Sequence, residues 1–216
     1  MAKTTDVIVV GGGVNGTCIA YHLAQRGVSV TLVEKDNIAA GPTGLSCGII
    51  RQHYSHPITA SIALAALRFF ENFEDLVGGD CDFRQTGYIF AAGPDTIDTL
   101  KANVALQQSL GINTSVISVE ELRELVPGAA IDGIVGAAYE PESGYADPYS
   151  TSVAFANRAE ELGAEVLIGT EVRSVIVEGG KARGVVTNQG RLEAASVVLA
   201  TGPWSSRLAK LFGIDL

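Results

Sequence analysis

The sequence predicts an α/β fold built on a buried parallel sheet, and three observations carry that prediction. Hydrophobic residues make up 47% of the 216 residues and charged residues only 18%, while Gly occurs 25 times. That balance suits a sheet covered on both faces and crossed by tight turns. Val7 to Val10 is a continuous β-branched apolar run, and Val28 to Val33, rich in Val, reads the same way, as strands buried on both faces do. The segment between them reads as a helix in which Gly16, Ala20 and Ala24 recur at i, i+4 and i+8. Such a seam of minimal side chains lets a helix lie close on a sheet, and Gly27 ends it as a C′ residue.

A chain of this length forms one large domain, or one domain carrying a smaller part, with a sizeable core. The net charge of −9, without a basic stripe, argues against nucleic acid or an anionic membrane as the main partner and favours a small molecule. Cys18, Cys47 and Cys81 are odd in number and show no CxxC spacing. Neither a disulfide framework nor a zinc site is indicated, and a reducing cytoplasm fits. His53 and His56 lie at i, i+3 with no carboxylate or cysteine arranged around them, so they read as ordinary loop histidines and no metal is expected. The VIVV run is too short for a membrane span or a signal segment.

Beyond the first βαβ unit, Asn37 to Pro57 is irregular and glycine-rich, the mark of a functional loop. Residues 61 to 77 read as a strongly apolar helix, 83 to 92 as a strand and 95 to 111 as a helix. In SVEELRELVPG (118 to 128), Ser118 and Glu121 have capping-box spacing before a Pro-Gly stop. Asp147-Pro148 gives an N-cap followed by Pro at the first helical position, opening a helix to about Leu162. GAEVLIG, EVRSVIVEGGKARGVVTNQG and EAASVVLATG then read as strands turning at Gly179-Gly180 and at Asn188 to Gly190.

Gly11, Gly13 and Gly16 form G-x-G-x-x-G directly after a strand and at the start of a helix, and Glu34 ends the next strand. This is the context of a Rossmann-type dinucleotide site. Gly11 permits the tight turn, Gly13 lets the backbone approach a pyrophosphate, and Gly16 permits contact between helix and sheet. The helix N-terminus adds free N–H groups and partial positive charge. Glu34 can accept from a ribose hydroxyl pair and repels a 2′-phosphate, so an ADP-containing cofactor without that phosphate follows. A plain nicotinamide domain would continue with a third parallel strand soon after Glu34. Here the next good sheet strand comes only near Ala164. The intervening GPTGLSCGIIRQHY (41 to 54) offers backbone N–H groups and hydroxyls to a longer cofactor.

Three stretches, VIVVGGGVNGTCIAYHLAQRGVSVTLVEK, TGLSCGIIRQHY and TEVRSVIVEGGKARGVVTNQGRLEAASVVLATGPWS, resemble the D-amino-acid oxidase superfamily of FAD-dependent amine oxidoreductases. The likeness is strongest to sarcosine oxidase β subunits and dimethylglycine dehydrogenases. The resemblance implies a Rossmann-like FAD-binding domain in two parts, 1–83 and 147–216, around an inserted α+β part of a substrate-binding domain, 84–146. It implies FAD contacts from Gly11, Gly12, Gly13, Val14, Asn15 and Gly16, from Glu34 and Lys35, and from Thr43, Gly44, Ser46, Cys47 and Gly48. Further contacts come from Val172, through its backbone, and from Ala200, Thr201, Gly202 and Trp204.

The resemblance also gives Arg51, in the I-I-R segment, the role of binding a substrate carboxylate, with Tyr54 lining the same pocket. A planar guanidinium suits that role, because two parallel hydrogen bonds can orient the substrate C–H toward a flavin. Some relatives attach flavin through a histidine or cysteine, and neither Cys47, His53 nor His56 is assigned that part. Cys18, on the close-packed helix, reads as a small core residue.

The implied activity is oxidation of the C–N bond of a small amino acid or N-methylated glycine. The alternatives are a 2-hydroxy acid or glycerol 3-phosphate as substrate, or a non-catalytic dinucleotide-binding subunit. The family pattern continues beyond ATGPWS, whereas this chain stops at Leu216. A second subunit or a C-terminal half is therefore expected to complete it, and weak FAD binding with poor turnover is expected of the chain alone.

Overall fold

The computed structural model describes residues 3–215. In chain order the elements begin with β1 (Lys3–Val10), α1 (Val14–Gln25), β2 (Val30–Val33) and β3 (Ile49–Ile50). Next come α2 (Pro57–Glu71), α3 (Phe73–Val77), β4 (Tyr88–Ala92), α4 (Ile97–Ser109), β5 (Ser115–Ile117) and α5 (Val119–Leu125). These lead to β6 (Gly136–Glu140), β7 (Gly144–Tyr145), α6 (Pro148–Glu161) and β8 (Glu165–Leu167). The chain closes with β9 (Val172–Glu178), β10 (Lys181–Thr187), β11 (Gly190–Leu199) and α7 (Ser205–Ala209). Two compact units result, one from Met1–Cys47, Phe73–Asp82 and Asp147–Leu216, the other from Gly48–Asn72 and Phe83–Ala146.

The first unit holds a six-stranded sheet of order β8-β2-β1-β11-β10-β9. β8, β2, β1 and β11 are parallel, while β10 runs antiparallel to both β11 and β9. The third parallel strand that follows Glu34 in space is thus β8, supplied from far along the chain. Ile8, Val10, Val33, Val185 and Ala194 form the core of this sheet. Full burial of a side chain such as Ile8 or Leu32 stabilises by about 1.5–3 kcal/mol. On α1, Gly16, Ala20 and Ala24 are all buried, as a close helix–sheet approach demands. Tyr21 packs its ring 5.5 Å from Phe155 of α6 and donates its hydroxyl to the Leu76 carbonyl at 2.8 Å. Asp147 caps α6 by accepting from the Ser150 N–H.

The second unit contains the antiparallel sheet β4-β6-β5 and the short pair β3·β7. Residues of β6 alternate between two small cores. Ala138 joins Leu100 and Val104 of α4, and Ala137 joins Ile117 and Leu122. The capping box of α5 is present, with Ser118 Oγ accepting from Glu121 N–H and the Glu121 carboxylate accepting from Ser118 N–H.

Three sequence expectations are corrected here. Residues 48–72 pack in the second unit, because Ile49 and Ile50 pair with Tyr145 and Gly144. The apolar helix starts at Pro57, with His56 Nδ1 accepting from Ile58 N–H, and breaks at Asn72, whose side chain donates to the Arg68 carbonyl. His53 is no ordinary loop residue: it is 7% exposed and its ring stacks on Phe90 at 4.7 Å.

Candidate functional site

Within the first unit the carboxyl ends of three adjacent parallel strands, β2, β1 and β11, hand over to Glu34, Gly11 and Ala200. Ligands of open α/β sheets bind in the crevice outside such ends. A cavity of about 840 Å³ opens there, walled by Gly11, Gly13, Val14, Asn15, Glu34, Lys35, Thr43, Val172, Ala200, Thr201, Gly202 and Trp204.

The glycine loop is shaped by backbone crowding. Gly11 has φ +113°, and a Cβ there would stand 2.6 Å from the Ala200 carbonyl oxygen. A Cβ on Gly16 would collide with the Gly11 carbonyl. On Gly13 it would meet Thr43 Oγ1 at 3.0 Å, inside the approach to the start of α1. Since α1 is capped by glycine, its first-turn N–H groups gain no acceptor from a cap side chain, although Val14 N–H donates to Thr43 Oγ1 at 3.2 Å. A helix N-terminus in that condition attracts phosphate.

Glu34 is fixed by the same loop: its two carboxylate oxygens accept from Gly12 N–H at 2.6 Å and Asp36 N–H at 2.9 Å. A carboxylate has lone pairs beyond these two, so it can still accept from ribose hydroxyls. The wall therefore fits an ADP group, with pyrophosphate at the glycines and ribose at Glu34. Lys35 extends its ammonium over the Trp204 ring at 5.7 Å, on the rim.

The remaining residues expected at the cofactor fall elsewhere. Gly12 and Gly16 are buried behind the wall as packing positions. Gly44, Ser46 and Cys47 are exposed beyond the turn that Thr43 begins, where Ser46 Oγ donates to the Thr43 carbonyl. Gly48 belongs to the second unit, its carbonyl accepting from Ala146 N–H. The sequence reading missed Thr170, Arg173, Arg207 and Leu208 among the lining residues. Their signal was position: Thr170 and Arg173 lie within TEVRSV, and Arg207 and Leu208 follow closely on ATGPWS.

In the second unit Arg51 donates from Nη1 to the Tyr88 hydroxyl at 2.8 Å. Its guanidinium lies 5.3 Å from the Tyr54 ring and 5.5 Å from the Tyr88 ring. Tyr88 above all, with Tyr54, holds its pKa above the ordinary value. Beneath it is a buried polar group that the sequence did not reveal. Glu140 is 0% exposed and accepts from Gln52 N–H at 2.9 Å and Ser143 Oγ at 2.8 Å. Burial pushes the Glu140 carboxyl up, against the hydrogen bonds and Arg51, which lower it. Burial, then Arg51, pushes the His53 imidazole down. His53 Nδ1 stands 3.7 Å from Glu140 Oε1, beyond hydrogen-bond range.

The family model of FAD dependent oxidoreductases matches residues 6–216. The chain is 31% identical to sarcosine oxidase subunit beta of an Arthrobacter species over 223 residues, covering 99% of this chain and 55% of that protein. It is 35% identical to anaerobic glycerol-3-phosphate dehydrogenase subunit A1 of Haloferax volcanii, covering all of this chain and 39% of that one. The crystal structure of L-proline dehydrogenase from P. horikoshii superposes with a TM-score of 0.92 at 34% identity, over 99% of this chain and 57% of that chain. The chain thus spans little more than half of these relatives at most. With the match running through the glycine loop, Glu34 and the ATGPWS close, the chain belongs to the family of FAD-dependent oxidoreductases.

Proposed function

We propose that the protein oxidises the C–N bond of a small amino acid or N-methylated glycine, the first unit holding FAD and the second contributing part of the substrate site. FAD, when bound, supplies the two-electron acceptor. The residues of this chain bind and orient. The N-terminus of α1 and Gly13 take the pyrophosphate, Glu34 takes the ribose, and Arg51 takes a substrate carboxylate.

The observation that carries the reading is the condition of Arg51. Its guanidinium is held by a tyrosine hydroxyl and two aromatic faces and is hydrogen-bonded to no carboxylate among the described residues, so donors are left for an anionic ligand. Nη1 is engaged with Tyr88, which leaves the other donors of the fork for a two-point grip. The alternative glycerol 3-phosphate reading, to which the Haloferax relative lends support, needs a second cation. Of the two candidates near it in sequence, Arg68 and Arg84, the first is already committed to Glu71 and Glu142, which lends weight to the carboxylate substrate. Cys18, Cys47 and Cys81 form no disulfide among the described residues, which fits a reducing compartment such as the cytoplasm. The rest of the site comes from a second subunit or a further segment.

The test is anaerobic titration of the FAD-loaded protein, with its completing half where that is available, followed by flavin absorbance. Sarcosine or L-proline should bleach the flavin and glycerol 3-phosphate should not. Arg51→Gln should raise the concentration needed at least tenfold, the loss of one bidentate charged contact. Bleaching by glycerol 3-phosphate alone would overturn the amine reading.

A further inference from the structure

The register of the second unit places Tyr88 of β4 directly opposite Glu140 of β6. Directly opposed residues of antiparallel strands share one face of the sheet. Phe90, two residues on, shares that face with Tyr88 because side chains alternate along a strand. Three consecutive residues of the chain after β3 attach to this face one by one. Arg51 donates to the Tyr88 hydroxyl at 2.8 Å, Gln52 donates its backbone N–H to Glu140 Oε2 at 2.9 Å, and His53 stacks on Phe90. Glu140 is held in turn by Ser143 Oγ at 2.8 Å, and Gln52, Glu140 and Ser143 are all 0% exposed.

A fully buried carboxylate is costly unless it is hydrogen-bonded and near a positive charge. Its retention here calls for a reason beyond packing, since α4 and β6 already share an apolar core through Ala138, Leu100 and Val104. The reason lies in what it touches. The peptide N–H that Glu140 fixes belongs to the residue immediately after Arg51, and Arg51 is among the charges acting on Glu140. Fixing the backbone at Gln52 and the guanidinium at Tyr88 leaves little freedom for the side chain between them.

We infer that Glu140 is a positioning residue for Arg51: with its cross-strand neighbour Tyr88 it clamps the 51–53 segment so that the guanidinium meets a substrate carboxylate in one orientation. The inference rests on the reading of Arg51 as the carboxylate-binding arginine. Glutamine at 140 keeps an acceptor for Gln52 N–H, whereas alanine removes it. The two variants therefore separate anchoring from bulk packing.

The experiment uses the full 216-residue chain with methoxyacetate as the carboxylate probe. Affinity is measured by NMR titration, together with the Arg51 Nε–Hε resonance and the hydrogen exchange of the Gln52 amide. Glu140→Ala should speed Gln52 exchange, shift the Arg51 resonance and weaken methoxyacetate about tenfold, as loss of one charge-assisted hydrogen bond would. Glu140→Gln should restore all three to within about twofold. Unchanged Gln52 exchange and an unchanged Arg51 resonance in a folded Glu140→Ala protein would overturn the inference. So would a Glu140→Gln protein as impaired as the alanine variant. If Glu140→Ala fails to fold, Ser143→Ala takes its place, because it frees one anchor of the carboxylate and should move the Arg51 resonance in the same direction. No such movement overturns the inference. Methoxyacetate binding that Arg51→Gln leaves intact would instead sink the reading of Arg51, while the two resonances still test Glu140.

Discussion

His53 shows how a single residue can carry opposite meanings in sequence and in space. In the sequence it is one of two histidines in a polar loop. In the fold it stacks on Phe90 and lies beside buried Glu140, and burial followed by the Arg51 charge disfavours its protonated form. A histidine whose folded pKa lies below its ordinary value of 6.5 favours the folded state above that value. That contribution is lost as pH falls through the folded pKa. Glu140 has the opposite sign: its pKa is raised from 4.5, so its contribution is present below 4.5 and is lost as pH rises through the folded value. Between about pH 5 and 8 the two oppose each other: acidification below 6.5 lowers the denaturation midpoint through His53 and raises it through Glu140. His53→Gln should remove the destabilising component, so that midpoints respond to acidification more favourably than in the parent, through Glu140. An identical pH profile in the two proteins would show that His53 does not titrate with folding.

At the level of elements, legibility followed length and residue type. β1, α1 and β2 were readable because a strand buried on both faces, a small-residue helix seam and a second such strand each leave a periodic mark. Of the strands of the second unit only β4 left one, inside the stretch 83 to 92. β3 and β7 are two residues long, and β6 is GAAYE, rich in Gly and Ala, which are depleted in strands. With β6 unseen, its pairing with β4 was unseen, and Glu140 could not be placed opposite Tyr88. The glycine loop was legible because its chemistry is local, whereas the group around Arg51 is assembled from positions 51, 88 and 140.

The helix α2 marks the reverse case, a pattern strong in sequence and weak in packing. Only Ala60 and Leu67 are buried along it, while Ile58 and Ile62, one turn apart, are 65% and 64% exposed. Replacing both isoleucines by lysine should change unfolding stability by no more than about 0.5 kcal/mol. Leu67→Ala should cost about 2–5 kcal/mol. Urea denaturation of the two variants checks the contrast, and comparable losses would mean that the isoleucine face is covered.

On the scale of the whole molecule, three separated stretches of chain converge to form one cofactor unit, interrupted by two stretches that form another. β1 accounts for this arrangement. Its two neighbours, β2 and β11, come from opposite ends of the sequence, yet all three end at the same rim. The cavity at that rim is lined wholly by residues of the first unit, drawn from the stretches 10–15, 33–43, 170–173 and 200–211. ADP, which carries the pyrophosphate and ribose but no flavin, should therefore bind to this chain. At a hundredfold excess over its dissociation constant it should add about 2.7 kcal/mol of stability. Hydrogen exchange should slow in those four stretches, most of all at the first turn of α1, where N–H groups meet phosphate. Residues 84–146 should exchange at unchanged rates. Protection spreading into 84–146 would mean that the first unit does not close its ADP site by itself. Protection absent from the first turn of α1 would mean that the glycine loop, despite its geometry, is not where the phosphates lie.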